Sequence, residues 1–259
     1  MNGRDLLLSP ELDKEKIAGF LAEFGFRDPE AADRGLQQIA GLSGDPFLFS
    51  GIVDSLLEAF RRSADPDSAL RGMVSFAESL PSLTQFIQVA AENPSILEVA
   101  CAITGGSEFL TLIMLRNPGY LYWLMEKGNL ETCRDPEYFC REASRALRIS
   151  SSPRSCLEAL QRCQRREILR IGTQDLLHTL PMRDIAAQIS RLADSMLQAV
   201  LELTAGEYGF PIRDFVVLGM GKLGGMELNF SSDVDLIFLH SDQVSRQETV
   251  RFPGLTGKP

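Results

Sequence analysis

A chain of 259 residues, 44% hydrophobic, 24% charged and 8% aromatic, is long enough to bury a core as one large domain or two smaller ones. Its 35 acidic against 26 basic side chains give a formal net charge of −9. That balance argues against a duplex nucleic-acid binder, which needs a basic footprint, but leaves room for a small nucleotide at a local site.

The early "DLLL" (5–8) is too short for a signal core and "LTLIML" (110–115) too short to span a membrane, so no membrane association is expected. From residue 28 onward one punctuation mark recurs. Asp28-Pro29, Asp45-Pro46, Asp65-Pro66, Asn93-Pro94, Asn117-Pro118, Asp135-Pro136 and Ser152-Pro153 each place a capping side chain before proline. The polar side chain accepts the orphan N–H groups of a first helical turn, and proline at the next position loses no bond. The pairs predict a string of short helices. Leu70, Met73, Val74 and Ala77 fall at i, i+3, i+4 and i+7, one buried stripe. Gly105 and Gly106 read as a helix stop.

Trp123 with Tyr120 and Tyr122 reads as a core aromatic group between short helices. Five cysteines follow no CxxC pattern: Cys101, Cys133, Cys140, Cys156 and Cys163. The odd count and the lack of a secretory leader predict reduced thiols in the cytoplasm. The spacing of seven would put Cys133 with Cys140, and Cys156 with Cys163, on shared helix faces. Arg162, Arg165, Arg166 and Arg170 form a basic helix face; with Glu158 and Glu167 nearby, it reads as a solvated face more readily than a phosphate site. Ile189, Leu192, Ala193, Met196, Leu197, Val200 and Leu201 repeat the apolar stripe in a later helix. His178 and His240 do not form a metal pair by spacing.

The pattern changes after residue 205. "FVVLGMG" (215–221) and "VDLIFLH" (234–240) are apolar runs of strand length, and both read as central strands buried on both faces. The expected organisation is a helical region over 1–204, the opening of an α/β unit over 205–240 and an irregular tail over 241–259. Between the strands, Asp233 and Asp235 sit one residue apart at a strand start. Side chains at i and i+2 share a face, about 6–7 Å apart at the backbone. Two such carboxylates repel, and a hard divalent cation such as Mg²⁺ resolves the repulsion while leaving positions for substrate phosphates. Ahead of them, Gly221, Gly224 and Gly225 allow close backbone approach, and Ser231 and Ser232 offer hydroxyls and N–H groups to phosphate oxygens. A lone DxD is also a common solvated strand end, and glycine pairs commonly mark plain turns. The combination is not a P-loop. Gly219, Gly221 and Gly224 match GxGxxG, but "MELNFSSD" leaves no room for the long helix a dinucleotide fold requires. Read alone, the stretch points to metal-assisted phosphoryl or nucleotidyl transfer.

"GMGKLGGMELNFSSDVDLIF" (219–238) closely resembles the bifunctional glutamine synthetase adenylyltransferase/adenylyl-removing enzymes, members of the polymerase-β-like nucleotidyltransferase superfamily. Four further stretches resemble the same family: "ADPDSALRGMVSFAESLPS" (64–82), "LIMLRNPGYLYWL" (112–124), "RREILRIGTQDLL" (165–177) and "ISRLADSMLQAVLEL" (189–203). The resemblance implies a mainly α chain that leads into the start of a polymerase-β-like domain. It implies a cytoplasmic enzyme that regulates glutamine synthetase in nitrogen assimilation, moving AMP on and off a tyrosine, with the nitrogen-signalling PII protein as a second partner. The position of the motif resembles the N-terminal unit, which removes AMP by phosphorolysis and releases ADP. On this mapping Asp233 and Asp235 hold Mg²⁺, Gly224, Gly225 and Ser232 line the phosphates, and Lys222 offsets phosphate charge. A solvated turn is the other reading of Lys222.

Family members carry a third carboxylate in a segment resembling "RVDLRLRP", and this sequence has none; after Asp242 the only acid is Glu248. The expectation is a truncated unit, inactive by itself. The alternative is a helical module that docks glutamine synthetase or PII without chemistry.

Overall fold

The computed structural model describes residues 2–8, 13–149 and 152–241; the tail expected over 241–259 lies, beyond Ser241, outside the described residues. The chain is mainly helical. In chain order its helices are α1 (Gly3–Leu8), α2 (Lys14–Glu23), α3 (Pro29–Ser43), α4 (Pro46–Ser50), α5 (Val53–Arg62), α6 (Pro66–Ser79) and α7 (Leu83–Glu92). There follow α8 (Ser95–Gly106), α9 (Glu108–Arg116), α10 (Gly119–Leu124), α11 (Pro136–Arg148), α12 (Pro153–Leu176) and α13 (Met182–Tyr208). A 3-10 turn (Ile212–Asp214), strand β1 (Phe215–Gly219), a one-turn helix α14 (Gly221–Gly224) and strand β2 (Leu236–His240) complete the order. Two compact units result, Met1–Thr132 with Ile168–Pro181, and Cys133–Glu167 with Met182–Pro259.

The aspartate–proline pairs start helices as their chemistry dictates. Asp28 accepts from the Ala31 N–H, Asp45 from Phe47 and Leu48, Asp65 from Ser68, and Asp135 from Tyr138. Ser152 accepts from Ser155 ahead of α12. The two asparagine pairs differ: α8 and α10 begin one residue later, with proline in the capping position and no side-chain cap. The physical reason is economy of chain. Asn93 and Asn117 already close the preceding helices, donating to the carbonyls of Val89 and Met114.

In the first unit the inward faces of these helices share one core, with Leu36, Phe49, Leu56, Leu57, Phe60, Phe76, Ile87 and Leu97 fully buried. Each such side chain stabilises the fold by about 1.5–3 kcal/mol relative to exposure. The α6 stripe falls as its spacing predicts, with Leu70, Met73 and Ala77 buried and Val74 packed against them. The aromatic trio of α10 packs against the same core. Helix α8 runs to Gly106, and Ser107 then caps α9 through the Leu110 N–H. Late in the chain, Arg170 and Gln174 return to this unit from α12. Arg170 donates to Gln174, whose amide bonds the carbonyls of Asn129, Leu130 and Thr132 at 3.0–3.4 Å.

In the second unit, Ala143, Ala146, Ala159, Leu160 and Ala199 form a small-residue core shared by α11, residues 153–167 of α12 and α13. Here the basic cluster departs from a solvated face. Arg162 and Arg165 are exposed, but Glu167 is fully buried and Arg166 is largely so, while Arg170 is buried in the first unit. The Arg166 guanidinium bonds Glu142 at 2.6 Å and Glu167 at 3.1 Å, while Tyr138 donates to Glu167 at 3.0 Å. Burial opposes the Arg166 charge, but the two carboxylates outweigh it and hold the guanidinium above its ordinary value. Periodicity alone could not show this, because four arginines at helical spacing look alike whether they meet water or carboxylates.

Two other expectations shift. Cys133 precedes α11, so it shares no helix with Cys140; Cys156 and Cys163 do share α12, and all five cysteines are free thiols. In α13, Ile189 and Leu192 are buried but Val200 is exposed, whereas the polar Gln188, Ser190 and Ser195 are buried. Polar side chains enter that face because each has a bond to make there: Gln188 accepts from the Arg134 N–H, Ser190 donates to Ala186 and Ser195 to Leu192. Among the described residues no single helix is long and apolar enough to cross a membrane.

Candidate functional site

Strands β1 and β2 pair antiparallel, with Phe215 opposite His240, Val217 opposite Phe238 and Gly219 opposite Leu236. The loop they close, residues 220–235, carries Gly221, Lys222, Gly224, Gly225, Ser231, Ser232, Asp233 and Asp235, the metal and phosphate candidates of the sequence. The strands themselves are not buried on both faces. β1 alternates half-buried and exposed positions, and Ile237, Phe238 and Leu239 are exposed. Among the described residues these two strands form the whole sheet, so they have no neighbouring strand to cover them. β2 begins at Leu236, which places the two aspartates just ahead of the strand rather than on it.

Asp235 is nonetheless held by the ladder, since its carbonyl accepts the Met220 N–H at 2.9 Å. That bond brings its carboxylate to the glycine turn, 3.8 Å from where a Cβ at Gly221 would stand. Gly221 takes a left-handed backbone (φ 55°) to enter α14. Leu223 is buried over Gly219, and Gly224 passes so close to the Gly219 carbonyl that a Cβ there would lie 2.6 Å from the oxygen. Met226 also adopts a left-handed backbone (φ 58°), uncommon for a residue with a side chain. Leu228, buried like Leu223, fixes the second half of the loop.

From there one asparagine organises the serines. Asn229 Oδ1 accepts from the Ser231 N–H at 3.2 Å and from the Ser232 hydroxyl at 2.6 Å, and the Asn229 N–H bonds back to Ser232 Oγ at 3.3 Å. Ser232 N–H meets the Asn229 carbonyl at 3.3 Å. The turn therefore uses both serine N–H groups and the Ser232 hydroxyl; among the described residues nothing bonds the exposed Ser231 hydroxyl. Asp233, Asp235 and Lys222 are exposed, and no ion pair among the described residues engages either aspartate. The site offers two carboxylates and one hydroxyl on a loop fixed at both ends. Among the described residues no group of three or more histidine, cysteine, aspartate or glutamate side chains is placed to hold a metal. Sequence reasoning missed Asn229 and Ser190, which donates to its own helix and accepts the Leu228 N–H at 3.1 Å. Asn229 had one signal, an asparagine three residues before a serine, and Ser190 had none.

A family model described as Glutamate-ammonia ligase adenylyltransferase matches residues 97–252, a span that contains the whole loop and both strands. The chain belongs to that family. Among curated relatives it is 27% identical over 252 residues to the bifunctional glutamine synthetase adenylyltransferase/adenylyl-removing enzyme of Leifsonia xyli, covering 96% of this chain and 25% of that protein. It is 33% identical over 227 residues to the enzyme of the same name from Streptomyces coelicolor, covering 85% of this chain and 21% of the relative. For Pseudomonas aeruginosa the figures are 28% over 257 residues, 88% and 26%. The chain thus spans about a quarter of the length of the curated relatives it matches.

Proposed function

We propose that loop 220–235 is the metal- and phosphate-binding loop of an adenylyl-transferring site, and that the chain forms the lead-in and opening of a polymerase-β-like nucleotidyltransferase unit. The observation that carries this is the Asp235 carboxylate, set beside the glycine turn two residues after Asp233 in a chain of this family. The donor set fits Mg²⁺: two hard oxygen ligands, exposed and bonded to no other described side chain. When bound, Mg²⁺ supplies charge neutralisation at phosphoryl oxygens. Asp233 and Asp235 hold it; Gly224 and Gly225 keep the turn free of side-chain bulk; the Ser231 hydroxyl and Lys222 face the phosphates. Ser232 serves through the turn it closes with Asn229.

The substrate in this reading is adenylylated glutamine synthetase. Inorganic phosphate displaces the tyrosine oxygen from the AMP phosphorus, releasing ADP, with positioning as the main contribution of the chain. PII is the regulatory partner, ATP and ADP are the nucleotides and the cytoplasm is the site of action. Because the described residues offer a donor set of two carboxylates, the 259-residue chain by itself is expected to turn over negligibly. Release of ADP from adenylylated glutamine synthetase, dependent on Mg²⁺ and phosphate, is the assay; release by the purified chain would overturn the inactivity. Binding of Mg²⁺ and ADP that survives both Asp233→Asn and Asp235→Asn would overturn the site itself. In that event the second reading takes its place, a module that docks glutamine synthetase or PII without chemistry.

A further inference from the structure

We infer that Ser190 is a positioning residue for the carboxylate pair, acting through the backbone of Leu228 and the side chain of Asn229. The inference rests on the reading of Asp233 and Asp235 as the metal-holding pair. Ser190 is fully buried in α13, 38 residues before the loop it touches. Its hydroxyl donates to the Ala186 carbonyl at 3.0 Å, which spends its proton and turns an oxygen lone pair toward the Leu228 N–H at 3.1 Å. Leu228 is itself buried, so loss of this acceptor would strand an N–H away from water.

Serine is a poorer helix former than alanine and gains nothing from burial unless its hydroxyl is used. Here it is used at both ends. The next residue, Asn229, holds Ser231 and Ser232 by the bonds described above, and Asp233 follows directly. Hydrogen bonds and the Leu228–Asn229 peptide link therefore lead from the first third of a long helix to the residue before the first carboxylate. The ladder bond from Met220 to Asp235 performs the same service for the second. The loop that carries both carboxylates is thus tied to the fold on both sides. Ser190 is the tie on the Asp233 side.

The test uses the purified 259-residue chain, with amide hydrogen exchange and Mn²⁺ binding followed by electron paramagnetic resonance. Ser190→Ala keeps the helical circular dichroism of the parent. Exchange at Leu228, Ser231 and Ser232 quickens about 10-fold and Mn²⁺ affinity falls about 10-fold, the size of effect expected when a group that orients metal ligands is lost. Asn229→Ala reproduces the changes at Ser231, Ser232 and in Mn²⁺ affinity but leaves Leu228 protected. Faster exchange confined to Leu228, with Mn²⁺ affinity unchanged, overturns the inference. Mn²⁺ affinity insensitive to Asp233→Asn and Asp235→Asn defeats the carboxylate-pair reading instead. Exchange at Ser231 and Ser232 in Ser190→Ala then decides alone: acceleration upholds the tie, and none refutes it.

Discussion

Alanine in place of each loop glycine separates three different demands on one turn. At Gly224 the new Cβ would lie 2.6 Å from the Gly219 carbonyl oxygen, 0.8 Å short of the 3.4 Å at which ordinary contact begins. The obstacle is backbone held in the ribbon, not a side chain that can swing aside, so the upper end of the overpacking range applies, about 2–3 kcal/mol. At Gly221 space is open, the nearest atom being Asp235 Oδ2 at 3.8 Å, but the left-handed backbone costs an L-residue about 1–2 kcal/mol. At Gly225 the neighbour is the exposed Glu227 side chain at 3.3 Å, which can swing into solvent, and the cost stays within about 0.5 kcal/mol. The Met220 amide, bonded to Asp235, and the Glu227 amide, bonded to Lys222, report opening of this loop alone. Measured by hydrogen exchange, Gly224→Ala should speed both by about 30- to 150-fold, Gly221→Ala by about 5- to 30-fold and Gly225→Ala hardly at all. Mn²⁺ binding should weaken in the same order. Equal damage from Gly225→Ala and Gly224→Ala, or native exchange at Met220 and Glu227 in Gly224→Ala, would refute the reasoning.

Two further outcomes test the helical units. The bond from the Ser68 N–H and the pairing with Arg27 hold the Asp65 carboxyl below its ordinary 3.8, so its contribution is present above that value and lost as pH falls through the carboxylate range. Asp65→Asn keeps the cap and loses only an exposed ion pair, whereas Asp65→Ala loses the cap too, about 1 kcal/mol or 2–4 °C in Tm. Thermal unfolding at pH 7 and pH 3 should show the Asn penalty fading in acid; an Asn variant as damaged as Ala at both pH values would contradict it. For the thiols, burial pushes Cys163 up to about 11, only partly opposed by Arg166, while Cys133 and Cys140 are exposed. Iodoacetamide at pH 8, followed by mass spectrometry, should label Cys133 and Cys140 first, with Cys163 accelerating toward pH 11; equal rates at pH 8 would place Cys163 at the surface.

What was legible in the sequence was whatever depends on near neighbours. An aspartate before proline caps its own helix, and four apolar residues at helical spacing must find a core, so α3, α4, α6 and α11 could be read from a dozen letters each. The candidate loop was legible for the same reason, because its glycines, serines and aspartates lie within 17 residues, 219–235. Illegible was whatever depends on a distant partner. Arg166 looks solvated until Glu142 arrives from another helix, and Ser190 looks like a polar lapse in an apolar stripe until Leu228 returns to meet it. The strands misled because an apolar run signals a need for cover without showing what supplies it.

The interleaved division of the chain has a consequence for vectorial synthesis. The first unit takes its last members, residues 168–181, from beyond α11, which belongs to the second. The carbonyls of residues 129–132 meet the Gln174 amide only 42 to 45 residues later. At about 5–20 residues per second, a ribosome leaves that wall of the core open for roughly 2–9 s. Throughout that interval Leu110, whose place opposite Gly172 is still vacant, belongs to a nascent chain that has its helices but cannot yet close.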